Sequence, residues 1–160
     1  MATTQIITEP AVPQMVTIRD FDAPKDLLLR AYTDPDLLEQ WVGPREMTVM
    51  MDHVDPRDGG TWRYTSADAA GNEREFHGVF HGTPSPDGLV QTFESGGTPG
   101  RVWLETVTFT ERGDTTVVTR NTVFQSADDR DAALRSELVD DVNESLERLD
   151  HLLSRLVLAS

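Results

Sequence analysis

The feature that most constrains this chain is a row of aliphatic residues near its C-terminal end. Leu134, Leu138, Val142, Leu146, Leu149, Leu153 and Leu156 recur at spacings of three and four. That period draws one apolar stripe along a predicted long helix. Glu137, Asp140, Asp141, Glu144, Glu147 and Arg148 fall between them and read as a solvated face. Ser126 or Asp128 is placed to cap the helix, with Asp128, Asp129 and Asp131 at its positive end. A stripe of this length demands a large apolar partner, and only a sheet offers enough surface.

The sheet is legible upstream. Met15 to Phe21 alternates in the period-2 pattern of a half-buried strand. Asp22-Ala23-Pro24 then reads as a helix start, with Leu27, Leu28 and Ala31 on one face. Asp34-Pro35 repeats the signal before Leu37, Leu38 and Trp41, and Gly43-Pro44 ends that second short helix. Strands are expected at 47–54, 61–65, 73–81, 89–94, 101–110 and 115–124, separated by Gly-, Pro- and Asp-rich turns. Turns this short join antiparallel neighbours, so the sheet is a meander and not a set of βαβ units.

The expected fold is therefore α+β, of the helix-grip kind. A curved antiparallel sheet of about six or seven strands wraps a long C-terminal helix, with two short helices after the first strand. Residues 15–160 form a single domain. Residues 1–14 form an N-terminal arm whose Ile6-Ile7 pair offers a short edge strand.

Charge and composition narrow the function. The net charge is −14, and Lys25 is the only lysine. Such a chain is repelled by phosphate backbones and anionic lipid, which argues against nucleic-acid and membrane-surface roles. There is no cysteine, so disulfides, thiolate metal sites and cysteine nucleophiles are excluded. No apolar run is long enough to span a bilayer, and the first residues lack the basic and apolar regions of a signal peptide. A cytoplasmic location is the expectation.

Familiar chemical motifs are missing. His77 and His81 are four residues apart on a predicted strand, which separates them by about 13 Å, too far to share a metal unaided. No third ligand accompanies His53 and Asp55, so no metal is expected. Ser66, Ser85, Ser95 and Ser126 lie in turn-like sequence, not in a nucleophile elbow. The Gly59-Gly60 and Gly96-Gly97 pairs read as hairpin glycines, since no Lys-Ser/Thr follows. No cofactor and no catalytic residue is assigned.

Strand parity gives the more useful signal. If Val107 and Phe109 face the core, Trp103 and Glu105 share their face. If Val117 points inward, Thr119 and Asn121 do too. An acid, a hydroxyl and an amide then lie on the concave wall, where buried polar groups need partners. Glu105 has a blander alternative, pairing with Arg120 or Arg101. Trp41, Tyr64, Phe76 and Phe93 divide between core and cavity wall, and Leu138 and Val142 face them from the helix. The reading is a cavity for a small hydrophobic or amphipathic molecule, with Trp41 at its mouth. The alternatives are an enzyme using Glu105, Asn121 or Tyr64 for proton transfer, and a protein-interaction domain. A homodimer is compatible with a domain of this size.

Several segments carry a family resemblance. They are Arg19-Asp20-Phe21-Asp22-Ala23-Pro24, Ala31-Tyr32-Thr33-Asp34-Pro35 and Trp41-Val42-Gly43-Pro44-Arg45, followed by Gly59-Gly60-Thr61-Trp62-Arg63-Tyr64, Phe76-His77-Gly78-Val79-Phe80 and Thr106-Val107-Thr108-Phe109-Thr110. In this order, from about Met15 to Leu153, the chain resembles the START-like (SRPBCC) superfamily of polyketide cyclases, pathogenesis-related proteins and lipid-transfer domains. Within it the likeness is to the branch of the heat shock protein 90 ATPase activators' C-terminal domain. The resemblance implies the helix-grip fold. For activity it implies carriers, aromatase/cyclases, hydrolases and chaperone cofactors alike. Many relatives have small residues and Met where this chain has Glu137-Leu138-Val139-Asp140-Asp141, so ligand preference does not transfer.

Overall fold

Alternation along the early chain sets the first half of the sheet. In this computed structural model residues 4–159 are described, so the start of the expected arm (residues 1–3) and Ser160 lie outside the described residues. Within the arm, β1 (Gln5–Ile7) pairs antiparallel with β2 (Gln14–Phe21). On β2 the alternation buries Met15, Thr17, Arg19 and Phe21.

Two short helices follow, α1 (Lys25–Thr33) and α2 (Pro35–Trp41). Asp34 caps α2 as its sequence predicts, accepting from the Asp36 N–H at 2.9 Å, with Pro35 in the first turn. Asp22 does not cap α1. Thr116 Oγ1 donates to the Ala23 carbonyl at 2.6 Å and holds this segment against the sheet, so the cap position falls to Pro24. The Lys25 N–H then finds its acceptor in Glu111 Oε1, at 3.0 Å.

The meander comprises β3 (Thr48–Val54), β4 (Thr61–Ala67), β5 (Glu73–Val79), β6 (Gly88–Ser95), β7 (Val102–Arg112) and β8 (Thr115–Val123). With the two N-terminal strands the sheet has eight strands in the order β1-β2-β8-β7-β6-β5-β4-β3, one more than the upper expectation because the arm contributes β1. All pairs are antiparallel, and a register shift between Met51 and His53 interrupts the β3–β4 ladder.

The C-terminal segment differs from the single helix predicted. It is two helices, α3 (Ala127–Arg135) and α4 (Leu138–Ala159). Ser126 caps α3 through the Asp129 N–H at 3.0 Å. The break falls at Ser136, whose backbone is extended and whose hydroxyl donates back to the Ala133 carbonyl while accepting from the Leu138 N–H at 3.3 Å. A serine side chain thus takes over backbone bonds that a continuous helix would make for itself. Beyond the break the stripe is intact: Leu146, Leu149, Leu152 and Leu153 are at most 2% exposed. Burying each leucine contributes about 1.5–3 kcal/mol.

These leucines belong to one core cluster with Phe21, Leu28, Ala31, Phe109 and Val118. Trp41 ties the two short helices together by donating its indole N–H to the Ala31 carbonyl at 2.8 Å. Among the described residues no helix is long and apolar enough to cross a membrane.

Candidate functional site

The sheet's concave face is mostly apolar, and the helices do not fill all of it. Between them lies a cavity of about 740 Å3. Its floor is the inner face of the meander: Trp62, Tyr64 and Ser66 from β4, Phe76 from β5, Gln91 and Phe93 from β6, and Trp103 and Glu105 from β7. Leu138, Val142 and Ser145 of α4 roof it, and Trp41 to Pro44 form one side.

The register explains which side chains meet. Tyr64 is opposite Phe76, Gln91 opposite Glu105 and Phe93 opposite Trp103, so each pair shares a face. The aromatic rings then touch in a chain: Trp62–Tyr64 at 5.8 Å between centroids, Tyr64–Phe76 at 5.1 Å, Phe76–Phe93 at 5.3 Å and Phe93–Trp103 at 5.1 Å. Gly78 makes room for this wall. A Cβ there would lie 2.6 Å from a ring carbon of Trp62 and would also collide with the Thr92 carbonyl.

Polar side chains interrupt the wall at Ser66, Gln91 and Glu105, with Arg120 and Thr122 beyond them. Glu105 is 5% exposed and accepts from Gln91 Nε2 at 3.1 Å. Its other carboxylate oxygen lies 3.5 Å from an Arg120 guanidinium nitrogen, the pairing that the blander sequence reading allowed. Burial works against the charge of Arg120, but the neighbouring Tyr32 and Glu105 outweigh it and hold the guanidinium above its usual value. Burial pushes the Tyr32 and Tyr64 phenols up, so both remain protonated donors through neutral pH.

Of the residues singled out from sequence, Trp41, Tyr64, Phe76, Phe93, Trp103, Glu105, Leu138 and Val142 line the cavity. Thr119 and Asn121 do not: their strand is inverted relative to the expectation. The β7–β8 register sets Glu105 against Thr122, Val107 against Arg120 and Phe109 against Val118, so the even-numbered residues of β8 face inward. Val117 and Val118 are adjacent, so the sequence pattern alone allows either face, and the register selects Val118. The two-residue turn was the missed signal, since pairing Arg112 with Thr115 fixes the parity and puts Arg120 and Thr122 in the cavity.

The mouth is charged. Arg74, Arg101, Asp129, Glu137 and Asp141 line it, around the α3–α4 break. Burial, followed by the neighbouring Glu137 and Glu144, raises the Asp141 carboxyl above its ordinary value. On the far side of α4, Arg148 donates to the Gly43 and Pro44 carbonyls at 3.0 and 3.2 Å, fixing the segment after α2. His77 is directed elsewhere, with its ring nitrogens 2.8 Å from Glu75 and 3.4 Å from Glu94.

A curved sheet gripping a C-terminal helix over a hollow core defines the Bet v 1-like class. Residues 22–154 match the model of the family described as Activator of Hsp90 ATPase homolog 1-like protein, and the chain belongs to that family. No curated protein matches it in sequence. Its fold is that of a crystallised protein from Rhodobacter sphaeroides, with a TM-score of 0.87 at 23% identity over 96% of this chain and 99% of that one. A solution structure from Arthrobacter aurescens gives a TM-score of 0.88 at 20% identity, covering 94% and 91%. A third, from Mycobacterium smegmatis, gives 0.85 at 20% identity, covering 96% and 97%. At these identities the likeness speaks for the fold.

Proposed function

We propose that this protein binds a small hydrophobic or amphipathic molecule between its sheet and its C-terminal helix. The observation that carries the proposal is the cavity of about 740 Å3 walled by touching aromatic rings. A domain that gained only stability from this face would be expected to fill it, because empty apolar space costs packing energy. A volume of several hundred Å3 suits a molecule of drug-like size, and flat aromatic walls favour a planar one. The family name supports a second, interaction-domain reading by association alone.

An aromatase/cyclase-like or hydrolase-like reaction would need an acid–base group free to exchange protons with a substrate. Glu105 is engaged by both Gln91 and Arg120, which favours a fixed polar anchor over a proton shuttle. Native mass spectrometry of the gently purified protein tests the proposal. The expected result is a stoichiometric small molecule, or a thermal shift on adding planar apolar compounds. An empty protein unmoved by a broad set of lipids and aromatic compounds would overturn it.

A further inference from the structure

Three hydroxyls open into the main cavity. Tyr64 and Ser66 bring theirs from β4, and Ser145 brings one from α4. None of the three has a hydrogen-bond partner among the described residues. They differ in this from Tyr32 Oη and Trp62 Nε1, which also lack partners but are shut off from any water-sized space. Tyr64, Ser66 and Ser145 are 7%, 5% and 9% exposed, and the chamber borders all three. Their arrangement is one-sided. Tyr64 and Ser66 are two residues apart on one strand, so they share a face at a spacing of about 7 Å. Across the floor, from β5 to β7, Phe76, Phe93 and Trp103 offer ring surface, and the polar pair Gln91 and Glu105 is already joined.

A hydroxyl both donates and accepts, so each of these can meet a phenol or a carbonyl oxygen. Water satisfies them while the chamber is wet. A hydrocarbon filling the same space would displace that water and leave them unmet, which costs affinity. We infer that the chamber selects a neutral oxygen-bearing aromatic molecule, a phenol or a ketone, whose polar edge lies against Tyr64, Ser66 and Ser145. The inference rests on the binding function proposed above and names its ligand class. The rings of β5 to β7 take the flat apolar body. Charge argues for a neutral ligand. Four carboxylates and three guanidiniums line the cavity of a chain whose net charge is −14, so an anion finds no net attraction there. The deepest cation, Arg120, already has Glu105 at 3.5 Å. Burial, and after it the Glu105 charge, pushes the Tyr64 phenol up, so its proton is available to a ligand oxygen at neutral pH.

Four probes of similar shape separate the parts of the inference: 2-naphthol, 2-acetylnaphthalene, 2-naphthoate and 2-methylnaphthalene, each measured calorimetrically against the purified protein at neutral pH. The expected result is that one or both neutral oxygen probes bind at least about tenfold tighter than the hydrocarbon, the worth of one good buried hydrogen bond. The carboxylate should bind more weakly than the better of them. Tyr64→Phe keeps the ring between Trp62 and Phe76 and should bring the ratio of oxygen-probe to hydrocarbon affinity close to one. Ser66→Ala and Ser145→Ala, which remove only a hydroxyl, should lower the same ratio by less. A ratio unchanged in all three variants would overturn the assignment of the polar edge, as would 2-naphthoate binding tightest. Equal affinity for all four probes would overturn the selectivity and leave the binding function standing. Failure of all four to bind would overturn both.

Discussion

The two ends of α4 meet the same sheet in different ways. Its later turns set Leu149, Leu152 and Leu153 into a packed core against α1 and α2. Its first turns set Leu138 and Val142 over open space, across from Tyr64, Phe76 and Phe93. Both ends carry the same apolar stripe, so hydrophobicity alone does not separate them. The partner residues do. Buried side chains of α1 and α2, Leu28, Ala31 and Leu37 among them, close in on the packed end, whereas the hollow end faces only the rings of the sheet, which line it without filling it. One helix therefore anchors the domain at one end and roofs a chamber at the other.

That contrast is breakable by mutation. Leu149→Ala, at a fully buried site, should cost about 3–5 kcal/mol in urea unfolding, because it leaves a cavity among packed neighbours. A value no larger than that for Leu138→Ala would erase the distinction between the two ends. Next in size, Glu105→Ala should cost about 2–3 kcal/mol, below the usual figure for breaking a buried pair because Arg120 also borders the cavity. Glu105→Ala combined with Arg120→Met should recover much of the loss; no recovery would mean that the pair is not the source of the cost.

Phe93→Leu trims the wall where nothing is packed tightly on the far side, and should cost only about 1 kcal/mol. Its main effect should be on binding, with the affinity for planar aromatic compounds reduced. A large loss of stability with unchanged affinity would reclassify Phe93 as core. The smallest effect belongs to the mouth. Asp141 binds its proton more tightly in the folded protein than in the unfolded chain, so its ionisation opposes folding. That penalty is fully present above the raised folded value and fades as pH falls toward the unfolded one. Asp141→Asn should accordingly raise Tm slightly at pH 7, with the gain shrinking on acidification. A gain that grows in acid would reverse the assigned direction.

Much of the architecture could be read from the residues because local chemistry and tertiary packing agree. Asp34-Pro35, Ser126 and the spacing of the leucines each specify an element by short-range rules, and the fold uses them as written. The aromatic wall was visible for the same reason: alternate residues on a strand must share a face. Three features escaped. Asp22 lost its capping role to a contact with the β7–β8 hairpin, which no local pattern announces. Ser136 broke a helix across which the apolar period continues, so periodicity could not find the break. Thr119 and Asn121 went to the wrong face because two adjacent valines satisfy either parity, and only hairpin register decides. The sequence suggests Arg120 as a partner for Glu105, but only that register places it in the cavity.

The strand order has a consequence for the sequence of events in folding. From β3 to β8 every strand pairs with its neighbour in the chain, so these hairpins can form from nearby residues. The β2–β8 seam is different: it joins segments far apart, as in the bond from Thr116 to Ala23, 93 residues back. Closing so long a loop adds little to the equilibrium cost but slows the search. Met15 and Thr122, which both line the cavity, pair across that seam, so this part of the wall exists only after the seam has closed. A ligand that needs the whole wall would bind none of the partly formed sheets, and during refolding its binding signal would trail the appearance of strand structure.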